Sequence, residues 1–216
     1  MVKNTALVAF LLLCFSAQAQ ENLTYQKPSA EILALADYER APSVMMDSDA
    51  EYMLFTYRPT YKTLEDLNIE DMRLGGLRIN PVTHISSTVT YINNLKLRKV
   101  KDAAEVQVKG LPANPRITFV SFSPDETKVA FTNTTATGVE LWVLDLATVT
   151  AKRLTEATLN ATMGNPYTWF DKGQTLLVRT LPQKAPALVD AKKTLPAGPV
   201  ASVSDGTKSQ NRTYQD

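Results

Sequence analysis

Apolar residues along this chain gather in short strand-like runs with turn signals between them. The densest case is residues 116–155, RITFVSFSPDETKVAFTNTTATGVELWVLDLATVTAKRLT. β-Branched and aromatic residues dominate it, as strands prefer. The pattern predicts three strands, over 117–121, 128–133 and 139–145, and a weaker fourth over 151–154. Ser123-Pro124-Asp125 between the first two fits a type I turn, because proline presets φ at its second position. Ile117 and Phe119 are expected on one face of their strand, with Val120 and Phe122 on the other. Val139, Leu141 and Val143 oppose Trp142, Leu144 and Leu146. A sheet with one wet face would alternate apolar with polar. Here both faces are apolar, so the sheet is expected to be covered on both sides.

The same pattern of apolar strand, acidic turn and apolar strand recurs. APSVMMDSDAEYMLFTY (41–57) lies over ITFVSFSPDETKVAFTN (117–133), placing Val44 on Val120, Met46 on Phe122, Asp49 on Asp125, Met53 on Val129 and Phe55 on Phe131. A third copy is YTWFDKGQTLLVRT (167–180), with its turn at Asp171-Lys172-Gly173. The intervals are 76 residues from Met46 to Phe122 and 48 from Phe122 to Phe170. The second suits one blade of a β-propeller, the first a blade carrying insertions. The expected fold class is therefore all-β: a partial propeller of two to three four-stranded antiparallel blades, with one or two short helices. One half of a β-sandwich is the competing architecture.

Between these copies the signals are weaker. Ser29 is placed to cap a short helix over 30–37, with Glu31 in its first turn and an apolar stripe of Ile32, Leu35 and Ala36. Thr63-Leu64-Glu65-Asp66 is a loose capping box that starts one helical turn. Residues 73–79 read as a strand with a bulge at Gly75-Gly76. Asn80-Pro81 reads as a turn. Residues 88–100 and 106–111 are strand-like. Residues 182–216 hold four prolines and little apolar periodicity, so they read as a loop or linker.

The first nineteen residues stand apart. Lys3 precedes an apolar run over 6–15, and Ala17-Gln18-Ala19 is a small-x-small cleavage site, so this is a secretory signal peptide cut before Gln20. A lipoprotein signal with Cys14 lipidated is the competing reading, disfavoured by Leu13 before the cysteine. The expected map is a signal peptide over 1–19, a leader with a short helix over 20–41, blades over 42–181 and a linker over 182–216. The protein is expected in the periplasm or outside the cell, with no membrane association after cleavage. Cys14 is the single cysteine, so the mature chain forms no disulfide. Its core alone must hold it.

The net charge of +1 gives no electrostatic case for nucleic acid. The chain has one histidine, His84, in the turn-like NPVTHISST. It contains no G-x-S-x-G, H-E-x-x-H, P-loop, G-x-G-x-x-G or calcium-loop pattern. Asp47, Asp49 and Glu51 are turn residues rather than calcium ligands, and Asp145 is a strand-end cap. Tyr25, Tyr52, Tyr57, Tyr61 and Tyr91 are packing and rim residues. Asn22, Asn133, Asn160 and Asn211 open glycosylation sequons, meaningful only in a eukaryotic secretory pathway. No catalytic, cofactor-binding or metal residue is assigned, and no cofactor is expected.

Several segments are nevertheless specific. YQKP (25–28), EIL (31–33), EYML (51–54), YRP (57–59) and RLGGLRINP (73–81) resemble the N-terminal region of prolyl oligopeptidase family serine peptidases, in their glutamyl endopeptidase-like branch. VSFSPD (120–125) is similar to the blade turn of that family and of other propellers. GP (198–199), VSDG (203–206) and QNRTYQD (210–216) resemble a linking segment. The resemblance implies an N-terminal propeller fragment. Its partner would be a C-terminal α/β-hydrolase domain carrying a Ser-Asp-His triad, and peptides would be the substrates. The propeller would limit access to that domain. No residue here matches a triad position. Glu126 stands where the family's turn has Gly, which leaves the turn geometry open. A non-catalytic periplasmic scaffold is the alternative function. As an incomplete propeller the chain is expected to expose apolar side chains on its outer faces, among them Trp169, Leu177 or their face neighbours.

Overall fold

The structure, a computed structural model, describes residues 26–184. The expected signal peptide and almost all of the proline-rich segment lie outside them. The chain divides into two compact units, residues 1–38 and 39–216. In the first, helix α1 (Ala30–Ala36) follows Ser29, but the Ser29 hydroxyl makes no cap bond. The Ser29 carbonyl accepts from Leu33 N–H at 3.0 Å instead.

In the second unit the described elements run β1 (Ser43–Met46), β2 (Tyr52–Tyr57), α2 (Leu64–Leu67), β3 (Met72–Leu74), β4 (Leu77–Ile79), β5 (Asn94–Lys99), β6 (Val106–Gln107), β7 (Ile117–Phe122), β8 (Lys128–Thr134), β9 (Val139–Asp145), β10 (Thr150–Arg153), β11 (Tyr167–Phe170) and β12 (Thr175–Val178). A one-turn 3-10 helix, Asp171–Gly173, links the last two. All-β is the class. The strands form two four-stranded antiparallel sheets, β1-β2-β5-β6 and β7-β8-β9-β10, and two hairpins, β3-β4 and β11-β12. Gly75-Gly76 is not a bulge inside one strand. With φ of 54° and 92°, it is the two-residue turn that splits β3 from β4, as paired glycines favour.

The first two copies of the repeat read from the sequence share the backbone bonds of their turns, whereas the third turn is the 3-10 helix Asp171–Gly173. Asp47 N–H donates to the Tyr52 carbonyl (3.3 Å) and Ala50 N–H to the Asp47 carbonyl (3.3 Å). Seventy-six positions on, Ser123 N–H donates to Lys128 (2.8 Å) and Glu126 N–H to Ser123 (2.9 Å). A side-chain oxygen completes each turn: Asp47 Oδ1 accepts Tyr52 N–H at 2.9 Å, and Ser123 Oγ accepts Lys128 N–H at 3.0 Å. Ala50 and Glu126 hold matching positive φ, 54° and 52°. The strand registers match too, with Met46 opposite Met53 and Phe122 opposite Val129.

The second sheet is covered on both faces. Phe131, Val129 and Leu144 pack against Leu54, Leu95 and Leu97 of the first sheet. Ala130, Leu141 and Val143 pack with Tyr167 of β11, Leu159 and Ile85, and Trp169 and Leu176 flank them. One expectation fails here: Ile117 and Phe119 do not share a face. The β7–β8 register slips between Thr118 and Ser121, and Phe119 takes φ of 50°. This β-bulge turns Phe119 to the β11 side while Ile117 stays with the first sheet. The bulge frees the Phe119 carbonyl from the ladder, and the Tyr167 hydroxyl bonds to it. Trp169 is turned inward as well; the outward pair on the β11-β12 hairpin is Phe170 and Leu177, 64% and 69% exposed.

Candidate functional site

The two four-stranded sheets differ in one connection. Residues 135–138 join the second and third strands of the second sheet, whereas residues 58–93 join those of the first. This insertion carries α2 and the β3-β4 hairpin. It also walls a cleft of about 440 Å³, together with Arg40 before β1 and Arg116 before β7. Pro59, Ile69, Val89 and Pro115 supply apolar surface, with Tyr61 and Tyr91 beside them. A long connection on a repeating scaffold is where binding residues concentrate.

Thr63, Asp66, Arg116 and Ser87 are fixed in the cleft wall by local chemistry. Thr63 caps α2: its hydroxyl oxygen accepts Asp66 N–H at 3.1 Å, and its own N–H donates to Asp66 Oδ2 at 3.1 Å. This is the capping box read from the sequence, with aspartate in the third position. Asp66 Oδ1 pairs with Arg116 Nη1 at 2.9 Å. Burial pushes the Asp66 carboxyl up. The Thr63 bonds and the Arg116 guanidinium outweigh that and hold it below its ordinary value. The guanidinium lies over the Tyr91 ring, 4.1 Å from its centroid, a stacking that arginine favours. Behind them Asp71 accepts from Arg78 Nη2 at 2.5 Å and from the Ser87 hydroxyl, and these bonds hold it at about 2. Ser87 is thereby fixed as part of the cleft wall.

Arg116 is also anchored from the second sheet. Its backbone N–H donates to Asn133 Oδ1 (3.0 Å), whose amide donates to Glu140 Oε2 (3.1 Å). Trp142 Nε1–H (2.8 Å) and Arg153 Nη1 (3.1 Å) complete the shell of that carboxylate. Burial raises the Glu140 carboxyl, but these three donors bring it below its ordinary value. It is therefore a buried anion with partners, as stability demands. Asn133 is itself buried, so its sequon cannot be glycosylated in the folded chain.

The cleft carries Arg40, Lys62 and Arg116 against Asp66. Tyr61 and Tyr91 share that lining. Sequence reasoning assigned Tyr61 and Tyr91 to packing or the rim and did not single out Arg40, Lys62 or Arg116. Nothing in the local pattern groups three cations from three separate loops. The other singled-out residues lie elsewhere. His84 sits at φ of 56°, its carbonyl accepting Ala161 N–H at 2.9 Å. Asp47 is a turn residue, its Oδ1 also accepting Glu51 N–H at 2.8 Å. Asp145 Oδ1 accepts the N–H and hydroxyl of Thr148, each at 2.9 Å. Asn160 Oδ1 accepts the Thr162 hydroxyl at 2.6 Å. Tyr25 lies outside the described residues. Among the described residues, no group of three His, Cys, Asp or Glu side chains converges as metal ligands. Among them, too, no helix is long and apolar enough to cross a membrane.

No family model and no solved structure matches the chain. Two curated proteins are similar to it, each described as a probable chloroplastic glutamyl endopeptidase. The one from Oryza sativa subsp. japonica is 28% identical over 206 residues, covering 89% of this chain and 22% of the relative. The one from Arabidopsis thaliana is likewise 28% identical over 206 residues, covering 89% of this chain and 21% of the relative. The chain spans about a fifth of the length of the curated relatives it matches, and its similarity is to peptidases.

Proposed function

We propose that this chain is the N-terminal propeller portion of an exported serine peptidase of the glutamyl endopeptidase-like kind. It would restrict access to a C-terminal α/β-hydrolase domain. The observation that carries the reading is the second sheet. It is a four-stranded antiparallel meander with a second four-stranded antiparallel sheet on one face and the β11-β12 hairpin on the other. Propeller blades pack in this way. The reading also draws on the similarity to two probable glutamyl endopeptidases. A closed ring of blades passes short peptides and turns away folded proteins, which is a role the scaffold plays without catalytic residues of its own. The apolar run and cleavage pattern of residues 1–19 support export.

The test is to extend the chain. The gene is read past Asp216, and the extended protein is incubated with a serine-reactive phosphonate and with Glu-containing fluorogenic peptides. The expected result is a G-x-S-x-G serine downstream, labelled by the probe, with peptide turnover that the 216-residue chain lacks. A stop codon after Asp216, or labelling within residues 1–216, would overturn the reading. The stop codon would leave a non-catalytic scaffold.

A further inference from the structure

We propose that the open face of the first sheet is completed by a β-sheet from the chain beyond residue 216, and that this sheet sets a carboxylate against Arg98. It rests on the propeller part of the reading above, not on the peptidase part. Three observations lead to it.

The first is the equivalence of faces. Val120, Phe122, Val129 and Phe131 of the second sheet pack against the first sheet. Their counterparts in the repeat are Val44, Met46, Met53 and Phe55. These lie on the side of the first sheet turned away from that interface, because their alternating neighbours Met45 and Leu54 are the ones that meet the second sheet. Val44 and Met46 are 50% and 52% exposed. The surface that the second sheet buries against a neighbour is thus bare on the first. The second observation is what stands there. Arg98 is opposite Met53, as Leu144 is opposite Val129. Leu144 is fully buried in the core between the two sheets, so the first sheet has an arginine where the second buries a leucine. The third is the state of that arginine. Its guanidinium lies over the Phe55 ring, 5.2 Å from the centroid. Nη2 reaches the Met53 sulfur, a weak acceptor, at 3.0 Å. Nε is buried and has no partner. Glu105 is near enough to feel the charge, but the Tyr57 hydroxyl at 2.6 Å and Lys96 Nζ at 3.3 Å engage it. A sheet laid on this face covers Arg98 as the first sheet covers Leu144. A covered guanidinium with open donors costs stability unless it is paired, and its planar fork selects a carboxylate. A second copy of this chain has none on the strands of its other open face, whose outward positions are Thr168, Phe170, Thr175 and Leu177.

The experiment uses the protein read to its own stop codon, with the 216-residue chain beside it. Arg98→Lys puts an amine at this position, and a water-soluble carbodiimide joins an amine to a carboxylate in contact with it. The longer protein carrying Arg98→Lys is expected to gain a cross-link from position 98 to an Asp or Glu beyond residue 216, seen by peptide mass mapping and missing from the wild type. Hydroxyl-radical oxidation of Met46 and Met53 should be suppressed in the longer protein relative to the 216-residue chain. Arg98→Glu sets like charges together and should restore that oxidation. Replacing the cross-linked carboxylate by Lys in the Arg98→Glu protein should suppress it again, which a merely misfolded variant would not do. No cross-link from position 98, a link to Glu105 alone, or a stop codon after Asp216 would overturn the proposal. So would a link to Asp171 of another copy, which would make the face a self-association surface. Serine labelling is read separately. A labelled serine without the cross-link leaves the peptidase reading standing alone, and the cross-link without a labelled serine leaves this face as part of a non-catalytic propeller.

Discussion

Glu126 Oε1 accepts the backbone N–H of Ser48 at 2.7 Å, across 78 positions of sequence. The bond ties the turn of the second sheet to that of the first. It also explains why a glutamate occupies a position at φ of 52°, where glycine is the easier residue. The Ser48 N–H holds the carboxyl below its ordinary value. Glu126→Gly relieves the left-handed strain and loses the bond; Glu126→Ala loses the bond and keeps the strain. The expected order of melting temperature is wild type at or above Gly, with Ala lowest. Equal melts for wild type and the Ala variant would refute it.

The next turn along is held by space rather than by charge. A Cβ on Gly173 would lie 2.7 Å from Asp125 Oδ1 and 3.1 Å from Ser123 Cβ, at φ of 89°. Gly164 has φ of 92° and nothing within 4 Å. Gly164→Ala thus measures strain alone, about 1 kcal/mol. Gly173→Ala should cost more, about 2–3 kcal/mol in urea denaturation, because the strain and the collision add. Equal losses would show that the third turn yields freely.

How far the sequence exposes this architecture depends on the distance over which each feature is decided. The repeat is legible because Asp47, Asp49 and Asp125 sit in local turns between apolar pairs, and local chemistry shapes each turn. The bulge at Phe119 is not. It turns on the hydroxyl of Tyr167, 48 residues later. The alternation of Ile117 with Phe119 therefore points to the wrong face. The cleft is legible only as an anomalous insertion. Its cations come from loops before β1, before α2 and before β7, and the sheet packing alone gathers them.

Tyr167 sets up a pH test. Its hydroxyl lies 2.9 Å from the Ala130 carbonyl and also bonds to that of Phe119. Ser121 sits at 3.0 Å, and Trp169 Nε1–H donates to the Ser121 hydroxyl at 3.1 Å. Burial pushes the phenol from 10.0 to about 12. Folding therefore favours the protonated phenol. Its contribution is full below pH 10 and is lost as pH rises toward 12, on the order of 2–3 kcal/mol. Tyr167→Phe should cost about 1–3 kcal/mol at pH 7 and should flatten the alkaline limb. A variant with the wild-type limb would assign the loss to another group.

Acid should act through Glu140. Its carboxyl is held below the ordinary value, so the contribution is full above about pH 4.5 and is lost as pH falls through the lower folded value. Glu140→Gln keeps the shape and removes the charge that Arg153 and Trp142 face. The expected loss is about 1–3 kcal/mol at pH 7, vanishing as pH falls through the lowered folded value. Stability that is pH-independent in both proteins would contradict it.

Phe170 and Leu177 on one outer face, and Val44 and Met46 on the other, remain open to water. Each large apolar side chain so placed forgoes about 1.5–3 kcal/mol of burial. The isolated chain should bind a hydrophobic dye and self-associate in light scattering. Phe170→Ser with Leu177→Ser should reduce both. A monodisperse wild-type chain without dye binding would rule this out.

Val108, Lys109 and Gly110 run beside β10, with Lys109 N–H donating to the Val149 carbonyl at 3.0 Å and Ala151 N–H to the Lys109 carbonyl at 2.8 Å. The outermost strand of the second sheet is thus sealed by the chain's own backbone. An unsealed strand of this kind recruits foreign strands and seeds fibrils. The seal depends on closeness at one residue, since a Cβ on Gly110 would sit 2.4 Å from the Ala151 carbonyl oxygen. A single added methyl there would collide with that carbonyl and bare the edge of β10, so the sheet's protection against foreign strands rests on a residue with no side chain.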